Sequence, residues 1–284
     1  SAFNILCTIL MLPLSGFLEK LVIHMVPDGK EKEETAELDE RLLTTPPLAL
    51  EQCRAVTGDL ARAAEAALKG GLRALTGLNE ELAEEVRAQE ERTDHYEDLL
   101  GTYLVKLSAR PLSGEDNRET AKLLRVMTDF ERIGDHGVNL LRSAEALGEK
   151  EVGFTDMARQ ELGVMTGAVE EVLSLSLRAF LENDLEAAGQ VEPLEQVIDG
   201  LKEEMRTRHI LRLQRGECGV AAGFVWSDLL TDLERVADHC SNIAGCVIDT
   251  HRHNLNLHET LREVQKGEEF QEKFRAFQEK YALQ

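Results

Sequence analysis

Apolar residues recur along this chain at alternating steps of three and four, the spacing that turns one stripe of a helix into a bundle core. Leu123, Val126, Phe130, Ile133, Gly137 and Leu140 follow it, and so do Trp226, Leu229, Leu233, Val236, Cys240 and Ile243. Carried along the chain, the periodicity predicts six long helices over residues 47–75, 78–109, 114–147, 155–182, 184–214 and 220–250. Turn-forming residues separate them: Gly77, Pro111 to Gly114, Gly148 to Gly153, Asn183 with Asp184, and Gly216 to Gly219. Thr44 or Thr45 is placed to cap the first helix, with Pro46 and Pro47 in its first turn.

Part of this pattern is written twice. Residues 128–139 read TDFERIGDHGVN and residues 231–242 read TDLERVADHCSN, an offset of 103 with seven of twelve positions identical. Val86, Gln89, Thr93, Tyr96 and Leu100 correspond to Val191, Leu194, Ile198, Leu201 and Met205 at an offset of 105, as LRAL at 72–75 does to LRAF at 177–180. The expected fold is therefore all-α, with two tandem three-helix bundles over residues 47–150 and 151–250. A helical tail follows over 251–284, carrying Phe270, Phe274, Phe277 and Tyr281.

The start of the chain differs in kind. Residues 2–14 hold no charge, yet 13 residues fall short of the ~20 needed to span a bilayer. Phe17, Leu18, Leu21, Val22, Met25 and Val26 then repeat at helical spacing among charged neighbours. Residues 1–26 are expected to be the end of a transmembrane helix followed by an amphipathic interfacial helix, and 27–46 a polar linker.

Carboxylates recur in register with the repeat. Glu131 and Asp135 lie four apart and share a helix face, which Asn139 extends; Glu234, Asp238 and Asn242 repeat them. Glu90 with Asp94 and Glu195 with Asp199 form matching pairs on the preceding helices. Counted from the apolar seam, the Glu131/Asp135 stripe falls on the outer surface and Glu90/Asp94 on a flank. Like charges four apart weaken a helix by ~0.2–0.5 kcal/mol per pair, so four matched pairs invite a reason. One is capture of a divalent or trivalent ion, with iron, Mg²⁺, Mn²⁺, Zn²⁺ or Ca²⁺ as candidates. The other is a metal-free acidic surface answered by Arg132 and Arg235, a helical scaffold that docks a basic partner. Asp129 and Asp232 lie off the stripe and are secondary ligand candidates, together with Asn139 and Asn242. His136 and His239 sit one residue round from it, which suits orienting or capping roles.

Composition narrows the function. A formal charge of −21 opposes nucleic-acid binding. Five cysteines without a CxxC spacing indicate reduced, packing-type thiols and a cytoplasmic setting. No histidine has a glutamate three residues before it, and no HExxH, GxSxG or glycine-rich phosphate loop is present, so no catalytic site is expected.

TDFERIGDHGVN and TDLERVADHCSN resemble the paired signature helices of the PhoU family, regulators of phosphate uptake. That resemblance implies two related three-helix bundles and multinuclear metal clusters on E(D)xxxD motifs, here Glu131–Asp135 and Glu234–Asp238, with Glu90–Asp94 and Glu195–Asp199 as partner acids. The opening residues and LDERLLTTPPLALEQ at 38–52 resemble the junction in bacterial Na⁺/phosphate cotransporter-like proteins, where the last membrane helix leads into a PhoU-like domain. This likeness implies a regulatory domain on the cytoplasmic face of the inner membrane, partnered by a transport domain of the same chain, by the membrane, and by a second copy in a homodimer. One departure stands out: Gly134 and Gly137 in the first signature become Ala237 and Cys240 in the second, so the two sites are expected to differ in occupancy or flexibility.

Overall fold

Residues 38–252 and 267–283 are described by the computed structural model, and every regular element among them is a helix. The expected membrane and interfacial helices at 1–26, linker residues 27–37 and tail residues 253–266 lie outside the described residues. A 3₁₀ turn, Glu40–Thr44, precedes six long helices: α1 (Pro46–Ala74), α2 (Glu80–Ser108), α3 (Gly114–Glu149), α4 (Asp156–Leu181), α5 (Leu185–Gln214) and α6 (Val220–Arg252). A short α7 (Glu268–Lys280) follows. The six long helices begin and end within two residues of the sequence expectation. No helix among the described residues is long and apolar enough to cross a membrane.

Local chemistry sets these boundaries. Asn79, Ser113, Thr155 and Asp184 accept hydrogen bonds from backbone N–H groups in the first turns of α2, α3, α4 and α5. At α1 the expected side-chain cap is not made. Thr45 holds the capping position without a capping bond, and the Thr44 hydroxyl donates to the Arg41 carbonyl instead. Pro46 and Pro47 remove two of the N–H groups that a cap would have to satisfy.

The predicted seams are the cores. All twelve seam residues of α3 and α6 are buried, and so are Val191, Leu194, Ile198, Leu201 and Met205 of α5. Helices α1, α2 and α3 form one bundle, and α4, α5 and α6 the other. The bundles are joined along α3 and α6, and the rings of Phe130 and Phe180 meet edge-on across that junction at 5.3 Å. Helix α7 packs on α5, with Phe270 buried, and Lys280 pairs with Glu171 of α4 at 2.7 Å.

The glycine difference between the signatures concerns how closely helices approach. A Cβ on Gly137 would stand 2.6 Å from the carbonyl carbon and oxygen of Ala67, so α1 and α3 touch through backbone. The matching positions in the second bundle carry side chains, and the Ser176 hydroxyl donates to the Cys240 carbonyl at 3.3 Å. Cys53, Cys218, Cys240 and Cys246 are free thiols, and burial pushes Cys53 up to about 12.

Candidate functional site

The acidic stripes lie in grooves between helices, not on the outer face that the seam count predicts. Helix α3 packs against α1 and α2 on one side and α6 on another, so more of its circumference is covered than a single seam implies. Packing of α2 on α3 brings one carboxylate oxygen each from Glu90, Asp94 and Asp135 within 4.8 Å of one another. Glu131 stands beside them, its side chain 19% exposed. Burial, and then the neighbouring Asp135, push its carboxyl up to about 7. Glu90 and Asp94 are raised too, first by burial and then by the carboxylates around them.

The second groove, between α5 and α6, repeats the acids with different neighbours. Glu195 is buried, and burial followed by the nearby carboxylates pushes it up to about 9. Asp199 and Asp238 are raised first by burial and then by Glu234. Where the first groove has Arg132 Nε 3.5 Å from Glu131 Oε2, this groove holds its cations closer. Lys202 Nζ lies 2.9 Å from Glu234 Oε2, and Arg235 Nη1 lies 3.1 Å from Asp238 Oδ2. At the 105 offset the first bundle holds Glu97 where the second holds Lys202, and Glu97 adds to the negative field around Glu131. The second set of acids does not converge as closely as Glu90, Asp94 and Asp135. Oxygen-only donor sets of this kind fit hard cations such as Mg²⁺, Mn²⁺, Ca²⁺ or ferric iron better than Zn²⁺, which favours nitrogen and sulfur.

Other signature residues serve the junction between bundles. His136 Nδ1 lies 2.9 Å from Asp232 Oδ1, and Asn139 Nδ2 donates to the same oxygen at 3.2 Å. The arrangement is reciprocal: His239 Nδ1 lies 2.9 Å from Asp129 Oδ1, which also accepts from Asn242 at 3.3 Å. Between these clasps the two imidazoles sit 5.7 Å apart. Each bundle thus supplies an aspartate to the other bundle's histidine and asparagine. Of the secondary ligand candidates, Asp129, Asp232, Asn139 and Asn242 are all engaged in this way, in line with the orienting role expected of His136 and His239. Sequence reasoning missed the cross-pairing. Its signal was present, because Asp, His and Asn at relative positions 0, 7 and 10 fall on one side of a helix.

A duplicated helical bundle, clasped along its two repeated helices and carrying an acid-lined groove in each half, is the class that fold and site define. The PhoU domain family matches residues 57–144 and, a second time, 162–247. The chain belongs to the PhoU domain family. Among curated relatives it is 28% identical to "Phosphate-specific transport system accessory protein PhoU homolog 1" of Thermotoga maritima, over 71% of this chain and 86% of that protein. The fold is shared with the crystal structure of PhoU from Pseudomonas aeruginosa (TM-score 0.67, 24% identity, 72% of this chain and 98% of that one). It is also shared with the phosphate transport system regulatory protein PhoU from Streptococcus pneumoniae (TM-score 0.64, 19% identity, 75% of this chain and 99% of that one).

Proposed function

We propose that the chain is a regulatory module of phosphate transport that acts on a sodium-dependent membrane transporter of the same polypeptide from its cytoplasmic side. Metal ions held by Glu90, Asp94, Glu131 and Asp135, and by Glu195, Asp199, Glu234 and Asp238, would set the geometry of the two grooves. The observation that carries this reading is the convergence of Glu90, Asp94 and Asp135 within 4.8 Å. Family membership supports the regulatory part, since the Thermotoga maritima relative is named as an accessory protein of a phosphate-specific transport system. The likeness of the opening residues to a transporter junction supports the membrane part.

Two experiments test the reading separately. Metal content by inductively coupled plasma mass spectrometry, on protein purified without chelators, is compared with a variant carrying Glu131→Ala, Asp135→Ala, Glu234→Ala and Asp238→Ala. Stoichiometric metal in the parent and little in the variant is expected. Sodium-dependent phosphate uptake by the full transporter is then measured with and without residues 44–284. Unchanged uptake would remove the regulatory claim.

A second reading is favoured by the ion pairs Lys202–Glu234 and Arg235–Asp238, which neutralise acids of the second groove without metal. There the chain is a metal-free helical scaffold that docks a basic partner. It predicts no metal in either protein and partner binding that weakens with salt.

A further inference from the structure

A groove of about 550 Å³ runs along α5 and α6 beside the hairpin that joins them. Such a volume suits a small organic ligand. Its lining carries two cations, Lys202 and Arg206, against a single lining acid, Glu203, with Lys202 also paired to Glu234 at 2.9 Å. Burial, followed by Arg212, lowers the pKa of His209 and favours its neutral form. Arg206 is only loosely held, 3.9 Å from Glu203 and 66% exposed. Towards the hairpin the lining becomes apolar, and Ile210, Val220 and Phe224 are exposed large side chains.

The groove's inner wall is polar where the first bundle is greasy. His209 and Trp226 are buried and stacked at 5.7 Å. The Arg212 guanidinium lies 5.6 Å from the Trp226 ring and pairs with buried Glu161 at 2.9 Å. At the repeat offsets the first bundle has Leu104, Leu123, Leu107 and Val56 in those four places, all buried. The polar set leaves His209 Nε2 and Trp226 Nε1 without hydrogen-bond partners although both line the groove. A buried donor left unmade costs ~1–3 kcal/mol, a cost that the leucines of the first bundle avoid. The groove also stays open at Gly223, where a Cβ would stand 3.0 Å from His209 Nε2.

We infer that this groove binds a small organic anion with an apolar body. Its anionic group lies towards the exposed Arg206, and the buried His209–Trp226 stack forms the floor beneath it. Its hydrocarbon or aryl part covers Ile210, Val220 and Phe224. The loosely held Arg206 selects an anion over a cation, and the apolar end selects an amphiphile over a free inorganic anion.

Because Trp226 is the single tryptophan, its emission reports on the site. The whole chain is titrated with 8-anilinonaphthalene-1-sulfonate, following probe fluorescence and Trp226 quenching. Saturable binding at one site with Trp226 quenched is expected. Arg206→Glu and Phe224→Ser, both at exposed positions, should each weaken it tenfold or more with circular dichroism unchanged. Val105→Ser, which removes an exposed apolar side chain of α2, should leave it unaltered. The uncharged N-phenyl-1-naphthylamine should bind at least tenfold more weakly. Affinity of either groove variant equal to that of the parent, equal affinity of the charged and uncharged probes, or no Trp226 quenching would overturn the assignment. So would sedimentation in which Arg206→Glu or Phe224→Ser turns a dimer into a monomer, because the face would then be an interface between copies.

Discussion

The two bundles share seven of twelve signature positions, including two acids of each groove, yet they differ in what surrounds those positions. At the crossing of first and third helices, the first bundle brings backbones together at Gly137, and the second interposes Ser176 and Cys240. In the acidic groove the first bundle adds Glu97, while the second inserts Lys202 against Glu234. At the far end the first packs leucines, and the second builds the Glu161–Arg212 pair beneath an open groove. What stays alike is the clasp of Asp129 and Asp232 on His239 and His136. Duplication kept the clasp and the four acids of each groove, and divergence fell on the residues around them, such as Glu97 against Lys202.

The largest effect should come from removing the closest approach. Gly137→Ala sets a Cβ 2.6 Å from Ala67 backbone atoms, which cannot yield as a flexible side chain would. A loss of ~3 kcal/mol or more is expected, the upper range of overpacking. Cys240→Ala, at the matching position of the second bundle, should cost about 1 kcal/mol, as loss of a small buried group does. Urea unfolding of both variants tests the contrast; equal losses would mean that the crossings are alike after all. The clasp comes next. Asp232→Ala strands the His136 and Asn139 donors and should cost ~1–3 kcal/mol, and Asp129→Ala a similar amount. A double-mutant cycle of Asp232→Ala with His136→Ala should show coupling of at least ~0.5 kcal/mol. A cycle of Asp232→Ala with Asn242→Ala, which do not touch, should show almost none.

The fold was readable because its signal is local and repeated. The three-four seam of Leu123 to Leu140 needs no knowledge of neighbours, and its copy at 226–243 checks it independently. The repeated acids could be picked out from the sequence, but not where they lie. Glu131 and Asp135 counted as outward from one seam, but α3 is buried on more than one side, and a single periodicity cannot report a second interface. The Asp129–His239 and Asp232–His136 pairs join residues about a hundred positions apart, so spacing within one helix could mark their shared face but not its partner. Lys202 in place of Glu97 was visible in the sequence, but its meaning depended on Glu234 reaching it from another helix. The capping of α1 was misplaced because two consecutive prolines leave fewer N–H groups to satisfy.

Exchanging Glu97 and Lys202 tests whether that single difference sets the chemistry of the grooves. Lys202→Glu removes the ammonium from Glu234 and should raise Mn²⁺ affinity of the second groove about tenfold, which corresponds to ~1.4 kcal/mol. Glu97→Lys should lower that of the first groove by a similar factor. Calorimetric titration of the chelator-stripped protein follows both. If neither substitution moves Mn²⁺ binding, the acids are not acting as cation ligands and the scaffold reading gains.

The smallest effect is a slope of stability with pH, and it distinguishes the grooves by where it falls. Burial, followed by neighbouring acids, pushes Glu131 up to about 7 and Glu195 up to about 9, whereas an unfolded glutamate titrates near ~4.3. The folded chain therefore holds protons that the unfolded chain has already released. Its stability is greatest below the unfolded value and declines as pH rises through about 7 for Glu131 and about 9 for Glu195. With chelator present, the melting temperature should fall by roughly 3–5 °C per pH unit for each extra bound proton, and about twice as steeply below about 7, where both groups hold one, as between about 7 and 9. Glu131→Gln should flatten the lower part of the decline, and Glu195→Gln the part that continues above it. Saturating Mn²⁺ should flatten the whole profile, because a bound cation neutralises the same carboxylates that protons otherwise must. A chelated profile that is level from pH 5 to 9 would mean that the grooves bear their charge without cost, and would remove the electrostatic reason for either of them to recruit a cation.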